Sequence, residues 1–309
     1  MAHLVDSGAI AHTLLRMIRS FLNRRSMMTL MATALVAPVA GAQAAPRIVA
    51  TTGLIADAAR RLTGFDIRAI AAPPHDPALH RPGRSDLVAI ADADLVLRHG
   101  PGLEQRMDDL LQRQAARGRV IALEDLLPDT PAEEPLIAHD PALWSAAVQA
   151  LATRLAQELP ASADSILRAG QGFAGEILAH APAIAETLAL IPAHQRLIVT
   201  EARGMAHFAH AFGFDAIALS DASDARSLAA LADRLATAGV TAIFTAADTP
   251  STARLLQIAA SRGHALHPAG ALLSDADWPA PAGDSGWHRM MTRNATRIAA
   301  ALATGAALA

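Results

Sequence analysis

Short apolar blocks alternate with amphipathic blocks along the first half of the chain. The segment 47–64 reads "RIVATTGLIADAARRLTG", which predicts a strand, a turn containing Gly53 and an amphipathic helix that ends at Gly64. The segments 67–73, 95–97 and 119–126 predict further strands, and Ser85 is predicted to cap a helix that precedes the third strand. Strands that alternate with helices indicate a parallel sheet with helices on both faces.

One long Ala-rich stretch interrupts this alternation between residues 160 and 192, where the spacing of apolar residues predicts a helix with no strand inside it. The alternation then restarts at "RLIVTEA" and continues to a closing helix from about Trp287. We therefore predict an α/β fold with two Rossmann-like lobes joined by a long linker helix. The predicted boundaries are 45–160 for the first lobe, 161–193 for the linker helix and 194–309 for the second lobe.

The first 44 residues have the pattern of an export signal. A basic segment at 16–25 precedes an apolar run at about 27–40, and "AQA" at 42–44 supplies the small residues of a cleavage site. The apolar run is shorter than the roughly 20 residues that a membrane-spanning helix needs. We predict that residues 1–44 are a signal and that the mature chain is periplasmic. The Arg24-Arg25 pair leaves two export routes open, the twin-arginine route and the ordinary one, whose signals also carry arginines.

Composition excludes several classes of function. The 309 residues are 52% hydrophobic, which is enough to bury a sizeable core, and the formal net charge is −3. This charge does not favour a polyanion-binding surface, so no nucleic-acid partner is expected. Because the chain contains no cysteine, any transition-metal site must use histidines and carboxylates. The sequence also lacks the glycine-rich nucleotide motifs and the G-x-S-x-G nucleophile elbow.

The motif His-Asp-Pro-Ala-Leu occurs twice, at 75–79 and 139–143. The first copy follows a predicted strand, and the second begins a helix with Asp140 as the predicted N-cap and Pro141 as the first helical residue. Two further loops, "TEARGMAHF" and "LLSDADW", lie at strand ends in the second lobe. Since open α/β sheets bind ligands beyond the carboxyl ends of their strands, these four loops are expected to face one cleft.

These loops resemble those of the solute-binding proteins of zinc and manganese ABC importers, often called cluster A-I. The resemblance covers nearly all of the mature chain and includes "VATTGLIADAARRLTG", "DPALHRPGRSDLVAIADADLVLRHGPGLE", "HDPALW" and "WHRMMTRNATRIAAAL". It implies a protein that captures a zinc or manganese ion between its lobes and delivers the ion to a membrane permease. It also implies that no reaction is catalysed, and we expect a monomer.

The chain departs from the family pattern at the metal site. The family holds its ion with three histidines and one Asp or Glu, and a histidine follows Asp-Pro in both repeated motifs. This chain has Ala78 and Ala142 at those two positions, and Ala202 aligns best with the third histidine. Asp275 matches the acidic ligand of the family.

Two hypotheses follow for this site. In the first, neighbouring residues have become the ligands, because imidazole and carboxylate groups bind zinc and also accommodate manganese. The candidates are His80, His139, Glu201 and Asp275, with His75 and His207 in reserve. In the second hypothesis the high-affinity site is lost, and these residues have ordinary structural roles such as helix caps and turns.

Two alternatives to a metal importer remain. A divergent paralogue that binds another solute or a partner protein would have an apolar cleft lined by Ala78, Ala142 and Ala202. An exported hydrolase would use Asp275 with a nearby histidine, but it needs a nucleophile or an activated water, and the sequence shows no such constellation.

Overall fold

The computed structural model of the protein describes residues 45–71, 80–100, 103–127, 136–222, 224–245, 249–275 and 285–303. A four-stranded parallel sheet lies in the first half. Its strands are β1 (Ile48–Thr52), β2 (Arg68–Ala71), β3 (Leu95–Arg98) and β4 (Val120–Ala122), in the order β2-β1-β3-β4. The helices are α1 (Gly53–Thr63) after β1, α2 (Arg84–Asp92) before β3 and α3 (Asp108–Ala115) before β4. All five residues of β1 are buried, as expected for a central strand covered on both faces.

Two helices follow this sheet and pack along each other. They are α4 (Pro141–Glu158) and α5 (Ala163–Ala189). Asp140 caps α4, since its carboxylate accepts hydrogen bonds from the backbone N–H groups of Ala142 and Leu143. The two helices cross closely at Gly170, where an added Cβ would lie 2.5 Å from the Cβ of Ala152. The long helix predicted between residues 160 and 192 is thus confirmed.

The second half repeats the strand order of the first. Its strands are β5 (Leu197–Thr200), β6 (Asp215–Ala218), β7 (Ala242–Ile243) and β8 (His267–Pro268). Strand β5 pairs in parallel with β6, β7 pairs in parallel with β8, and a bridge between Thr200 and Phe244 joins the two pairs. The helices are α6 (Ala206–Phe212), α7 (Ala225–Ala238), α8 (Pro250–Ser261) and α9 (Gly286–Leu302). The order β6-β5-β7-β8 therefore matches β2-β1-β3-β4.

One large apolar cluster includes residues from both halves, among them Leu54, Trp144, Ile198 and Trp287. A smaller cluster fills the space under α2 and α3 on the other face of the first sheet. Within the described residues, no helix combines the length and the apolarity that are needed to cross a membrane.

The α/β class and the parallel sheets predicted from the sequence are confirmed, with local corrections. Helix α2 is capped by Gly83 rather than Ser85, because the Asp86 carboxylate accepts a hydrogen bond from the Gly83 N–H. The strand predicted over 119–126 ends at Ala122, since Glu124–Leu126 turns as a 3₁₀ segment. Helix α3 was not predicted. The boundaries of the lobes and linker stay predictions.

Candidate metal centre

Residues from the two halves of the chain meet at the carboxyl end of β1. The backbone N–H groups of Gly53 and Leu54, the first residues of α1, donate to the two carboxylate oxygens of Asp275 at 2.7 and 2.6 Å. The ring of His139 binds the carbonyl oxygen of Leu273. The indole N–H of Trp287 donates to the carbonyl oxygen of Ala138 at 2.7 Å. The second and fourth motif loops of the sequence are therefore close together, as predicted.

His139 is fully buried in the short 3₁₀ turn Ile137–His139, and its bonding identifies the tautomer. The Nε2 atom lies 3.0 Å from the carbonyl oxygen of Leu273, and because a carbonyl oxygen accepts only, Nε2 carries the proton. The Nδ1 atom therefore has a lone pair, and it finds no hydrogen-bond donor among the described residues. Burial lowers the pKa of His139 to about 4, so the ring is neutral at pH 7. A neutral imidazole whose N–H is held by a backbone carbonyl is a typical metal ligand.

Asp275 is buried and caps helix α1 through its two backbone contacts. Negative charge at a helix N-terminus is stabilising, so this carboxylate has a structural role that requires no metal. The fit around it is tight, since a Cβ on Gly53 would lie 3.0 Å from the Asp275 Oδ2 atom. A carboxylate accepts up to four hydrogen bonds, so these two contacts do not by themselves exclude a cation.

Glu201 is directed to the first turn of α8. Its carboxylate accepts hydrogen bonds from the hydroxyl groups of Thr249, at 2.7 Å, and Thr252, at 3.1 Å, and from the hydroxyl of Ser251. These contacts hold the carboxylate at the N-terminus of α8, where the helix dipole also favours it. As a metal ligand Glu201 would have to leave this arrangement.

The remaining sequence candidates lie in different surroundings. His80 is mostly buried, with its Nε2 atom 3.6 Å from the Asp86 Oδ2 atom on α2. His207 is buried in α6. His75 lies outside the described residues, as does Ala78. Among the residues that are described, no three His, Asp or Glu side chains are grouped closely enough to hold a metal ion.

A cavity of about 120 Å³ lies between the loop before α4 and the second half of the chain. Its lining includes His139, Glu201, Ala202, Gly204 and Ser274. The space exceeds the roughly 30 Å³ that one liquid water occupies, so an ion that keeps a few of its waters has room there. Two sequence candidates, His139 and Glu201, therefore contribute to the wall of one cavity, while Asp275 follows directly after Ser274.

Comparison with known proteins agrees with this architecture. The sequence profile of the family described as "Zinc-uptake complex component A periplasmic" matches residues 48–301. The chain belongs to this family. It is 27% identical to the zinc-binding protein TroA of Treponema pallidum over 280 residues, covering 85% of this chain and 91% of TroA. It is 26% identical to the manganese-binding lipoprotein MntA of Bacillus subtilis over 273 residues, covering 83% of this chain and 89% of MntA. The solved structure of the Treponema pallidum periplasmic zinc-binding protein TroA superimposes with a TM-score of 0.72, covering 83% of this chain and 99% of that one.

Within this zinc-uptake family fold, two of the alanines at expected histidine positions are described. Ala142 is the second residue of α4 and Ala202 follows β5, and both are exposed. Neither residue offers a donor atom beyond its backbone. The imidazole groups that remain at the junction of the halves therefore come from other positions.

One such imidazole was missed by the sequence analysis. His99 directly follows β3 and is 1% exposed, and its Nε2 atom lies 3.1 Å from the Thr52 hydroxyl oxygen at the end of β1. Burial lowers the pKa of His99, which favours the neutral ring. The signal for this residue was its position in "LVLRHG", at the carboxyl end of a buried strand where α/β folds bind their ligands.

Proposed function

We propose that this protein is the metal-capturing component of a zinc or manganese ABC importer. It binds one divalent ion between its two halves in the periplasm, delivers the ion to a membrane permease and catalyses no reaction. It acts as a monomer after removal of residues 1–44. Family membership supports this role, and so does the similarity to TroA, a zinc-binding protein, and to MntA, a manganese-binding lipoprotein.

The observation that best supports metal binding in this chain is the tautomer of His139. Its Nδ1 lone pair is buried and without a donor among the described residues, while Nε2–H is held by the Leu273 carbonyl. An unpaired buried acceptor costs about 1–3 kcal/mol, and coordination of a cation would relieve this cost. His139 and Asp275 are therefore our first two ligands. His80 and Glu201 complete the proposed set once they leave Asp86 and the start of α8, with His75 and His207 as substitutes.

The test uses protein recovered from the periplasmic fraction of cells that express the full chain. Metal content is measured by mass spectrometry, and zinc and manganese are titrated into the stripped protein against a competing chelator. We expect one equivalent of tightly bound ion, and at least ~100-fold weaker binding in His139→Gln, because a direct ligand contributes more than the 10–100-fold of a supporting group. His264→Gln is the matched control, since the Nε2 atom of His264 also lies beside a backbone carbonyl, that of Val240 at 2.7 Å.

A second function is favoured by one observation, the lack of any grouped set of three ligands among the described residues. A paralogue with this fold would then bind another solute or a partner protein in the cavity beside Ala202. Failure of the parent protein to bind either zinc or manganese at micromolar concentration would refute the importer role and favour this alternative.

A further inference from the structure

A groove of about 510 Å³ lies between helix α9 and strand β8 in the second half of the chain. It shares no lining residue with the cavity beside His139. Its polar lining consists of two guanidinium groups, one imidazole and two hydroxyl groups, from Arg293, Arg297, His267, Thr292 and Thr296. The other lining residues are alanines, and no Asp or Glu among the described residues contributes to the wall. We call this feature the basic groove.

The positive charge of the basic groove comes mainly from α9. This helix contains three arginines and one histidine but no acidic residue. Arg289, Arg293 and Arg297 are spaced by four positions, which places them in one row along the helix. Like charges at this spacing repel each other and slightly destabilise a helix, so folding alone does not explain the row.

The Arg297 side chain is held in place by a neutral group. Its Nη1 atom donates a hydrogen bond to the backbone carbonyl oxygen of Ala271, which uses one of the five N–H donors of the guanidinium. Because a carbonyl group is neutral, this contact positions the guanidinium at the groove without cancelling its charge.

Strand β8 forms the other wall, and its outer edge is unsuited to pairing with another strand. The strand is at the end of its sheet, after β7. The N–H groups of His267 and Ala269 donate to the carbonyl oxygens of Thr241 and Ile243 at 2.9 and 2.7 Å. The residue between them therefore faces the outer edge, and Pro268 has no N–H group to donate there. A ligand of the basic groove must then be recognised by side chains rather than as an added β-strand.

The shape of the basic groove favours a segment of polypeptide chain as its ligand. Most of the lining residues are exposed and none is buried. Small-molecule sites bury most of the surface of their ligand, so a groove this open does not suit a small anion. A bilayer surface is flat on this scale and does not fill a concave groove. An extended segment can lie along the groove and place acidic side chains beside both arginines.

We propose that the basic groove docks an acidic segment of a partner protein. Guanidinium groups bind carboxylates through two parallel hydrogen bonds. Arg293 and Arg297 are separated by about 6 Å along α9, since each residue of a helix rises by about 1.5 Å. Alternate residues of an extended segment are about 6.7 Å apart, so carboxylates at alternate positions match the two arginines. This inference goes beyond the proposed function, because docking here requires no ion in the cavity.

The test uses the protein recovered from the periplasmic fraction and a blocked, fluorescently labelled peptide of alternating Glu and Ala residues. Fluorescence anisotropy measures the affinity. We expect Arg293→Gln/Arg297→Gln to bind the peptide at least ~10-fold more weakly, because two charge-assisted contacts are lost. Arg113→Gln/Arg117→Gln is the matched control, since these arginines of the first half are also exposed and four positions apart. This control changes the net charge equally and should match the parent, and a peptide with Gln in place of Glu should not bind.

A measurement on the parent protein does not depend on the folding of variants. With ¹⁵N-labelled arginine, the peptide should shift the Nε–H resonances of Arg293 and Arg297, which are assigned by their loss in the two single variants. Unchanged peptide affinity in Arg293→Gln/Arg297→Gln, or an equal loss in the control pair, would refute the docking site.

Two further outcomes would assign the basic groove to another kind of ligand and overturn the proposal. One is displacement of the peptide by an equal concentration of citrate, which would indicate a site for small anions. The other is binding of vesicles that contain phosphatidylglycerol by the parent but not by Arg293→Gln/Arg297→Gln, which would indicate a membrane surface. Failure of the parent to bind zinc or manganese would refute the proposed function and leave this inference unchanged.

Discussion

Glu124 offers a sharp test of the electrostatics next to the candidate site. Its side chain is partly buried after β4, where the carboxylate packs so closely on Gly100 that an added Cβ there would lie 2.0 Å from the Oε2 atom. The Oε1 atom is buried and has no hydrogen-bond partner among the described residues. Burial, with a smaller contribution from the charge of Glu104, raises the pKa of Glu124 to about 7 from its usual 4.5.

Because the pKa of Glu124 is raised in the folded state, its ionisation makes the folded protein less stable. Below pH 4.5 Glu124 is protonated in both the folded and unfolded states, so it contributes no pH dependence. Between 4.5 and about 7 the unfolded state loses its proton first, and the free energy of unfolding falls as the pH rises. The full pKa difference corresponds to about 3 kcal/mol at about 1.4 kcal/mol per pH unit. Since part of the side chain faces solvent, we expect screening to reduce the cost to about 1–2 kcal/mol.

Glu124→Gln removes this titration. The variant should be more stable than the parent by about 1–2 kcal/mol near pH 8.5 and equally stable near pH 4.5. Urea unfolding followed by tryptophan fluorescence measures the difference, because Trp144 and Trp287 are fully buried. Glu186→Gln, on the exposed face of α5, controls for the loss of one surface charge. A constant difference between parent and Glu124→Gln at both pH values would refute the assignment of the titration to Glu124.

Three further substitutions test the packing and the polar contacts of the junction. Gly170→Ala places a methyl group 2.5 Å from the Ala152 Cβ atom and should lower the free energy of unfolding by about 1–3 kcal/mol. Gly172→Ala, whose methyl group meets no atom within 4 Å, should not destabilise the protein, and thermal unfolding followed by circular dichroism compares the two variants. Asp275→Asn loses one of the two charge-assisted contacts to the start of α1, so the free energy of unfolding of the metal-free protein in urea should fall by about 1–3 kcal/mol. An unchanged unfolding midpoint would contradict the capping role of Asp275. Trp287→Phe removes the indole donor from the buried Ala138 carbonyl and should lower the free energy of unfolding in urea by about 1–3 kcal/mol. Phe208→Leu removes only apolar contacts, so a smaller loss in Trp287→Phe than in Phe208→Leu would indicate that this hydrogen bond contributes little.

The types of residue at helix ends correctly predicted where two helices begin or end. Gly64 ends α1 with a left-handed φ of 73°, and Asp140 caps α4 ahead of Pro141, both as expected from the residue types. The alternation of apolar blocks also predicted the parallel sheets. The end of β4 was placed too late because Glu124 and its neighbours form a 3₁₀ turn whose backbone bonds to His99, a contact between distant parts of the chain.

The candidate site was harder to predict because its contacts are long-range. Glu201 and Asp275 were selected as charged residues in strand-end loops, yet Glu201 binds hydroxyl groups about 50 positions away and Asp275 binds backbone groups 222 and 221 positions away. No spacing rule in a single sequence shows such partners. His99 was overlooked for the related reason that its surroundings, Thr52 and Glu104, become visible only when β1 and β3 are placed side by side.

These contacts change how Asp275, the residue that the sequence analysis matched to the acidic ligand of the family, should be interpreted. Asp275 caps α1, and Asp57 on α1 in turn accepts hydrogen bonds from Ser285 and from the N–H of Gly286 at the start of α9. Asp275 of the second half thus binds the start of α1, and Asp57 of α1 binds the start of α9, so two carboxylates connect α1 to the second half of the chain. Loss of Asp275 would destabilise the fold whether or not a metal binds, so its presence is weak evidence for a functioning site. The buried imidazole of His139 is stronger evidence, because its Nδ1 lone pair has no donor among the described residues and therefore costs stability. Whether this chain captures metal is therefore better tested at His139 than at Asp275.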